Sequence, residues 1–162
     1  MEKIRTLVRP TIPHYSIEDR AYLAGFVDGE GCITLMKTFN SPNRTLSITP
    51  RVIVVNTNPL VLMMLKEYFG GSVGSVEKSV WGRKEKFQWY ISGYGCILFL
   101  ESIFDYLKIK KEQAKSVLSL KSRYTNPKKR NENGTFPSLT KEEKEKNILV
   151  VSEIGKLNGG MC

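Results

Sequence analysis

Apolar residues recur at helical spacing in the segment I-E-D-R-A-Y-L-A-G-F-V, which follows Ser16. Ser16 supplies the side-chain oxygen that an N-cap needs, and the acidic Asp19 stands three residues further on. The next segment, G-E-G, releases the chain from helical geometry, because glycine tolerates the backbone angles that end a helix. The pattern predicts a first helix from about Ile17 to Asp28.

Two β-rich stretches follow, C-I-T-L-M-K-T and L-S-I-T-P-R-V-I-V-V-N, with the turn-forming segment F-N-S-P-N-R between them. They predict a long β-hairpin. Pro50 cannot donate a hydrogen bond to a neighbouring strand, so we expect it to face an edge or a bulge. A second hairpin is predicted where S-V-G-S-V-E-K and K-F-Q-W-Y-I-S flank the loop S-V-W-G-R-K-E. In the last of these strands, Trp89 is expected to belong to the core.

Helical patterns occupy the rest of the core. Asn58 and Pro59 open a helix over about 59–69, which stops at Gly70 and Gly71. Residues 96–107 predict a third, mostly buried helix, and residues 110–124 a fourth, amphipathic one. The order α-β-β-α-β-β-α-α predicts an α+β fold in which helices cover one face of a four-stranded antiparallel sheet.

The composition becomes polar beyond Tyr124, in T-N-P-K-K-R-N-E-N-G-T-F-P, before a last helix that Thr140 and Glu143 would cap reciprocally. We therefore divide the chain into a core over residues 1–124, a polar linker over 125–139, and a C-terminal helix over 140–162 packed on the same domain. The sequence shows no internal repeat, so the αββα unit is expected to occur once.

Charge and cysteine usage narrow the class of protein. Twenty-five Lys and Arg against sixteen Asp and Glu leave a formal charge of +9, which favours a polyanionic partner, with nucleic acid first. A basic protein that merely stays soluble remains the alternative. Three cysteines without short spacing argue against a disulfide framework or a zinc site. With no signal peptide and no membrane-spanning run, we expect an intracellular protein without a membrane partner.

Small residues form a stripe on the first helix, because Ala21, Gly25 and Gly29 recur every fourth residue. Another backbone can approach such a stripe closely, so two copies of this helix could pack together. The charged residues Glu18 and Asp19 exclude a lipid setting for this pairing. Close packing of the stripe against the chain's own sheet is the alternative.

Residues 23–31, L-A-G-F-V-D-G-E-G, resemble the nine-residue signature of the LAGLIDADG homing endonucleases. The segments V-V-N-T-N-P, F-G-G, F-Q-W-Y-I-S and L-K-I-K-K-E-Q-A also look like their family counterparts, so the resemblance covers about residues 16–124. It implies the homing-endonuclease fold, αββαββα with a saddle-shaped DNA-binding sheet. One signature per chain is similar to the homodimeric branch of the family.

The resemblance implies a metal site at the helix end. Glu30 of each subunit would bind the metal directly and the Gly29 carbonyl would assist, with Mg²⁺ expected and Mn²⁺ or Ca²⁺ as substitutes. Many family members have aspartate where this chain has Glu30. We interpret Asp28 as a structural acid at the helix end. The residues predicted at the dimer interface are Glu18, Ala21, Tyr22, Gly25 and Gly29.

Lys110, in L-K-I-K-K-E-Q-A, matches the position of the family's active-site lysine, and Asn56 matches the second polar residue of the site. A lysine beside the cut phosphate can stabilise developing negative charge and order the attacking water. A phosphate contact or a solvated helix start is the alternative for Lys110. The resemblance therefore implies three catalytic residues, with Glu30 as the third.

The uncovered sheet face is expected to read bases in the major groove of double-stranded DNA, through side chains that alternate along each strand. Counting by twos from Glu30 and along the partner strands, the residues predicted to share this face are Cys32, Thr34, Met36, Thr38, Asn40, Ser47, Thr49, Arg51, Ile53, Lys86, Gln88 and Tyr90. All of these except Cys32 are predicted to contact DNA. The residues predicted to contact phosphates are Arg44, Arg83, Lys84, Lys128, Lys129 and Arg130.

The resemblance implies an intron-encoded, Mg²⁺-dependent endonuclease that cuts both strands of a long pseudo-palindromic site as a homodimer. An RNA-binding intron maturase and a DNA-binding protein that has lost cleavage are the alternatives. The acid at Glu30 and the lysine at Lys110 favour cleavage over both. The compartment stays open between bacterial or archaeal cytoplasm and an organelle.

Overall fold

The computed structural model describes residues 16–40, 45–77, 84–125 and 139–159. A short 3-10 turn, Phe104–Tyr106, joins the third and fourth helices. The remaining elements, in chain order, are α1 (Ile17–Glu30), β1 (Gly31–Asn40), β2 (Thr45–Asn56), α2 (Pro59–Phe69), β3 (Ser72–Glu77), β4 (Lys86–Ser92), α3 (Tyr94–Ile103), α4 (Lys111–Leu118), α5 (Ser122–Thr125) and α6 (Lys141–Leu157).

The four strands form one antiparallel sheet in the order β1-β2-β4-β3. Both predicted hairpins are present, so the α+β fold class is confirmed. Pro50 pairs with Leu35 on β1, and its carbonyl accepts the N–H of Gly93 at 2.9 Å, just past the last residue of β4. The Pro50 nitrogen, which carries no hydrogen, therefore faces the region beyond the end of β4. No described strand residue needs a hydrogen-bond donor there.

One face of the sheet carries the core. Ile33, Val52 and Val54 are fully buried on this face. Trp89, also fully buried, lies edge-on to Phe99 with ring centroids 5.2 Å apart, as the sequence predicted for a core tryptophan. Its indole N–H donates to the carbonyl of Gly70 at 2.9 Å, which satisfies the only polar atom of the side chain. The described helices pack on this face, and none of them covers the other face of the sheet.

The third and fourth helices are shorter than predicted. α3 ends at Ile103 and continues as the 3-10 turn, whereas the sequence predicted one helix over 96–107. The predicted helix over 110–124 is divided into α4 and α5. Between them the N–H groups of Leu120 and Lys121 bond to carbonyls three residues back, which tightens the chain out of α-helical geometry.

α6 packs beside α4 and along the first hairpin. Thr140 and Glu143 form the predicted capping box at its start. At its end the side-chain amide of Asn158 donates to the carbonyl of Ile33 at 3.1 Å, which satisfies a backbone acceptor of the edge strand β1. The ammonium of Lys146 donates to the carbonyl of Ser119 at 2.8 Å. These contacts tie α6 to the rest of the fold at both ends.

The cysteines differ from the sequence prediction. Cys32, on β1, is disulfide-bonded, whereas the sequence analysis argued against a disulfide framework. Pairing depends on the distance between cysteines in the fold, which sequence spacing does not give. Cys96 is free and fully buried, and burial raises the pKa of its thiol to about 12. Among the described residues, no helix is both long and apolar enough to cross a membrane.

Candidate active site and nucleic-acid interface

α1 runs directly into β1 at Glu30, two residues beyond the predicted helix end. The N–H of Gly31 caps the helix by donating to the carbonyl of Val27. A Cβ at Gly31 would lie 2.7 Å from that oxygen, so only glycine fits this tight exit from the helix. Gly29 and Glu30 are both exposed in this last turn. The exit therefore places the Glu30 carboxylate at an open corner between helix and sheet.

Asp28 anchors a loop from the far end of the sequence to this corner. Its carboxylate accepts backbone N–H groups from Lys108 at 2.7 Å, Ile109 at 3.2 Å and Lys110 at 2.9 Å. The side chain is only 8% exposed, and the three donors compensate for burying a carboxylate. This geometry agrees with the interpretation of Asp28 as a structural acid.

Lys110 contacts the end of α1 a second time through its side chain. The ammonium donates to the carbonyl of Val27 at 3.1 Å and to the carbonyl of Asp28. A cation at the C-terminus of a helix is favourable, because the last carbonyls carry the negative end of the helix dipole. Lys110 is half-buried and hydrogen-bonded, so it is not a solvated helix start. The structure thus brings the predicted lysine to the turn that carries Glu30.

Asn56 is the last residue of β2 and forms the turn that leads into α2. Its side-chain oxygen accepts the N–H of Asn58 at 2.8 Å, the turn that asparagine commonly forms before a helix. Within the described residues no hydrogen bond joins Asn56 to Glu30 or Lys110. The structure therefore places Lys110 at the last turn of α1, which carries Glu30, and gives Asn56 a separate structural contact. The catalytic roles of all three residues stay predictions.

The oxygen atoms near Glu30 fit a hard divalent cation. The Glu30 carboxylate is exposed, and the Gly29 carbonyl belongs to the last helical turn, where carbonyls lack an intrahelical donor. Mg²⁺ takes one or two carboxylates and completes its shell with phosphate oxygens and water. Among the described residues no group of three or more His, Cys, Asp or Glu could hold a metal. Glu30 and the Gly29 carbonyl of one chain could therefore occupy only part of the coordination shell of such an ion.

The small-residue stripe of α1 is open to solvent. Leu23, Ala24 and Val27 are fully buried on the inner side of the helix. A Cβ added at Gly25 or Gly29 would meet nothing within 4 Å. The alternative in which the stripe packs against the chain's own sheet is therefore wrong. The other residues predicted for a dimer interface, Glu18, Ala21 and Tyr22, are exposed as well.

The residues predicted to face DNA do share the uncovered sheet face wherever the structure describes them. Three of the cross-strand pairs join Thr34 to Arg51, Met36 to Thr49 and Thr38 to Ser47, and a fourth joins Ile53 to Tyr90. Gln88 and Lys86 continue the same alternation on β4. Asn40 pairs with Thr45 at the far end of the hairpin.

The predicted phosphate contacts are mostly untested by the structure. Lys84 is exposed before β4, as a phosphate contact requires. The rest fall outside the described residues: Arg44, Arg83, Lys128, Lys129 and Arg130.

Two features of this face were missed by the sequence analysis. Val55 pairs with Gln88 and Ser92 pairs with Arg51, so both belong to the uncovered face, and continued counting by twos would have found them. The guanidinium of Arg51 lies over the ring of Tyr90, with Cζ 4.2 Å from the ring centroid. That contact depends on the register between β2 and β4, so the sequence held no direct signal for it.

The family model described as LAGLIDADG endonuclease matches residues 23–124. Among solved structures, the homing endonuclease I-CvuI in complex with its target is 21% identical, with a TM-score of 0.63, covering 86% of this chain and 82% of that chain. The archaeal intron-encoded I-Vdi141I, complexed with DNA, is 20% identical, with a TM-score of 0.54 and coverage of 88% and 98%.

The chain also aligns with a variant of I-SmaMI at 17% identity and a TM-score of 0.56, covering 94% of this chain but 48% of that chain. No curated protein matches. These likenesses show the homing-endonuclease fold, and the family model matches well over half of the chain. The protein belongs to the LAGLIDADG endonuclease family.

Proposed function

We propose that this protein is a site-specific DNA endonuclease that binds a long, roughly two-fold symmetric duplex as a homodimer and cuts both strands with Mg²⁺ at Glu30. The observation that carries the proposal is the bonding of the Lys110 ammonium to the last turn of α1, which ends in the exposed Glu30. A carboxylate for a metal and a cation for a phosphate thus share one corner of the fold. Phosphodiester hydrolysis needs both kinds of group.

Homodimer formation is supported by the outer face of α1. Gly25 and Gly29 leave room for a second backbone, and Tyr22 is 55% exposed beside them. The unit described here corresponds to about half of I-SmaMI, and this chain carries the signature once. Two copies related by a two-fold axis through the stripe would bring two Glu30 carboxylates together. The oxygen shell that one chain leaves incomplete would then gain a second protein ligand.

The chemistry assigns separate tasks to the residues of the corner. Glu30 and the Gly29 carbonyl would hold Mg²⁺, which supplies a Lewis acid for the leaving oxygen and lowers the pKa of bound water. The Lys110 ammonium, held at the helix end, would stabilise negative charge on the phosphate. Asp28 holds the backbone of the lysine loop and thereby sets where that ammonium lies.

DNA binding is supported by charge and by the uncovered sheet. The chain carries a formal charge of +9, and the polar side chains of β1, β2 and β4 alternate onto one face. Such a face fits the major groove, which admits a two-stranded ribbon. We further propose that the gene lies within an intron, like that of the intron-encoded I-Vdi141I. The protein would act where its target DNA lies, in bacterial or archaeal cytoplasm or in an organelle.

The test is cleavage of the duplex formed by joining the sequences that flank the gene's insertion. With Mg²⁺, the wild-type protein is expected to cut both strands, while Glu30→Gln binds the duplex and leaves it intact. Glu67→Gln, which changes an exposed carboxylate on α2, is the matched control and should cut like wild type. Cleavage by Glu30→Gln at the wild-type rate would overturn the metal assignment.

The same assay separates the alternatives. A wild-type protein that binds the duplex but cuts it in neither Mg²⁺ nor Mn²⁺ would be the cleavage-dead DNA-binding protein. Binding of the intron RNA in preference to the duplex would support the maturase.

A further inference from the structure

We infer that Arg51, held on the ring of Tyr90, makes the protein select guanine at one position in each half of its DNA target. The inference rests on the proposed function, because it takes the uncovered sheet face as the DNA-reading surface. It adds the base that the face prefers and the residue that sets this preference.

Arg51 and Tyr90 are diagonal neighbours on adjacent strands. Tyr90 on β4 pairs with Ile53, and Arg51 stands two residues along β2, opposite Ser92. Diagonal neighbours on one sheet face lie within reach of aromatic and long side chains. Here the guanidinium carbon lies 4.2 Å from the centroid of the Tyr90 ring. A guanidinium that stacks on a ring in the free protein loses less freedom when it binds a ligand.

The guanidinium presents one edge outward. Nε of Arg51 is buried and has no hydrogen-bond partner within the described residues. Nη1 and Nη2 are not among the buried unpaired atoms. The described part of the chain records no hydrogen bond or ion pair for Arg51, and its neighbours Thr34 and Ser92 are uncharged. The two terminal nitrogens are therefore free to meet a ligand together.

Guanine offers the matching pair of acceptors. Its O6 and N7 lie side by side in the major groove, and two N–H groups of one arginine bind them at the same time. Adenine presents a donor at the corresponding edge, so a pinned arginine discriminates against it. A phosphate could also bind the two terminal nitrogens of Arg51, but a phosphate contact would carry no sequence preference.

The strand geometry gives the position. Arg51 pairs with Thr34, which lies four residues after Glu30 on β1. At about 3.3 Å per strand residue, Arg51 lies about 13 Å from Glu30 when the distance is measured along the direction of β1. Base pairs rise about 3.4 Å each, so the guanine is expected about four base pairs outward from the cut phosphate. A homodimer would read two such guanines, one in each half-site.

The experiment measures binding of the full-length Glu30→Gln protein to the insertion-site duplex and to all single-base variants within six positions of each cut. At one symmetric position, this protein is expected to prefer guanine by at least about fivefold. Adding Arg51→Ala should remove the preference there and leave the other positions unchanged. Arg51→Lys should remove it too, because lysine cannot make the paired contact.

Tyr90 is a positioning residue in this scheme, and its variants test that role. Tyr90→Phe keeps the ring and should keep the guanine preference, whereas Tyr90→Leu should weaken it at the same position only. Lys84→Ala, just before the same strand, is the control, because an exposed predicted phosphate contact should weaken binding to all duplexes equally. Thermal melting of each variant shows that the comparison is made on folded protein.

Three results would overturn the inference. Uniform weakening by Arg51→Ala across all duplexes, with a shallower salt dependence, would make Arg51 a phosphate contact. Absence of any guanine preference while the duplex is bound would remove the base assignment and leave the proposed function intact. Absence of duplex binding altogether would overturn both, so the two failures are distinguishable.

Discussion

Asp28 and Lys110 hold each other in both directions: the Asp28 carboxylate accepts the Lys110 backbone N–H at 2.9 Å, and the Lys110 ammonium donates to the Asp28 carbonyl. The residues are 82 positions apart in the sequence. The pair joins the start of α4 to the end of α1. Because Glu30 stands two residues after Asp28, the position of the lysine is fixed relative to that carboxylate.

Asp28→Asn is expected to destabilise the protein by about 1–3 kcal/mol, because the amide retains one acceptor oxygen where the carboxylate serves three N–H groups. Cleavage should also slow, since the lysine loop loses its anchor. Asp105→Asn, an exposed acid in the 3-10 turn, serves as control and should change neither quantity. Urea unfolding and target cleavage are the measurements, and unchanged stability of Asp28→Asn would contradict the anchoring role.

Lys110→Met is expected to reduce the cleavage rate by about 100-fold or more, as for removal of one preorganised donor from a reacting oxyanion. Binding of the target should change little, because the residue acts on the reacting phosphate. Lys108→Met, at an exposed position in the same loop, should cleave like wild type. Single-turnover kinetics at saturating protein measure the rate of the cleavage step. Equal cleavage rates for the two variants would remove Lys110 from the mechanism.

Gly25→Leu is expected to give a folded monomer. The monomer has room for the side chain, since a Cβ at Gly25 meets nothing within 4 Å, and leucine favours a helix by about 1 kcal/mol over glycine. A second helix on the stripe would collide with it. Gly155→Leu on α6 is a matched control, because its Cβ also has open space. Sedimentation velocity should show a monomer only for Gly25→Leu, and an undisturbed dimer would place the interface elsewhere.

Binding to the target should depend steeply on salt. If a dimer neutralises about ten phosphates, the logarithm of the binding constant should fall with the logarithm of salt concentration at a slope of about −9. Fluorescence anisotropy over a range of KCl concentrations gives the slope. A value shallower than about −3 would be incompatible with docking along a long groove.

Helix ends and strand faces were predictable from the sequence where the interactions that set them are local. Caps at Ser16, Asn58 and Thr140 act within three residues, and the sequence placed them correctly. The shared face of β1, β2 and β4 was also predictable, because side chains alternate with a period of two along any strand. The single helix predicted over 110–124 was wrong, since the turn near Leu120 follows from hydrogen bonds that the periodicity does not express.

The sequence by itself determined the family signature, the strand alternation and the identity of Glu30 and Lys110 as candidate site residues. Only the tertiary structure decided that Asp28 binds three amides beyond residue 107, that Arg51 lies on Tyr90, and that the stripe of α1 is open. Each of these depends on which distant segments meet, and the free energy that brings them together comes from burying the shared core. Local patterns carry no information on that choice of partner.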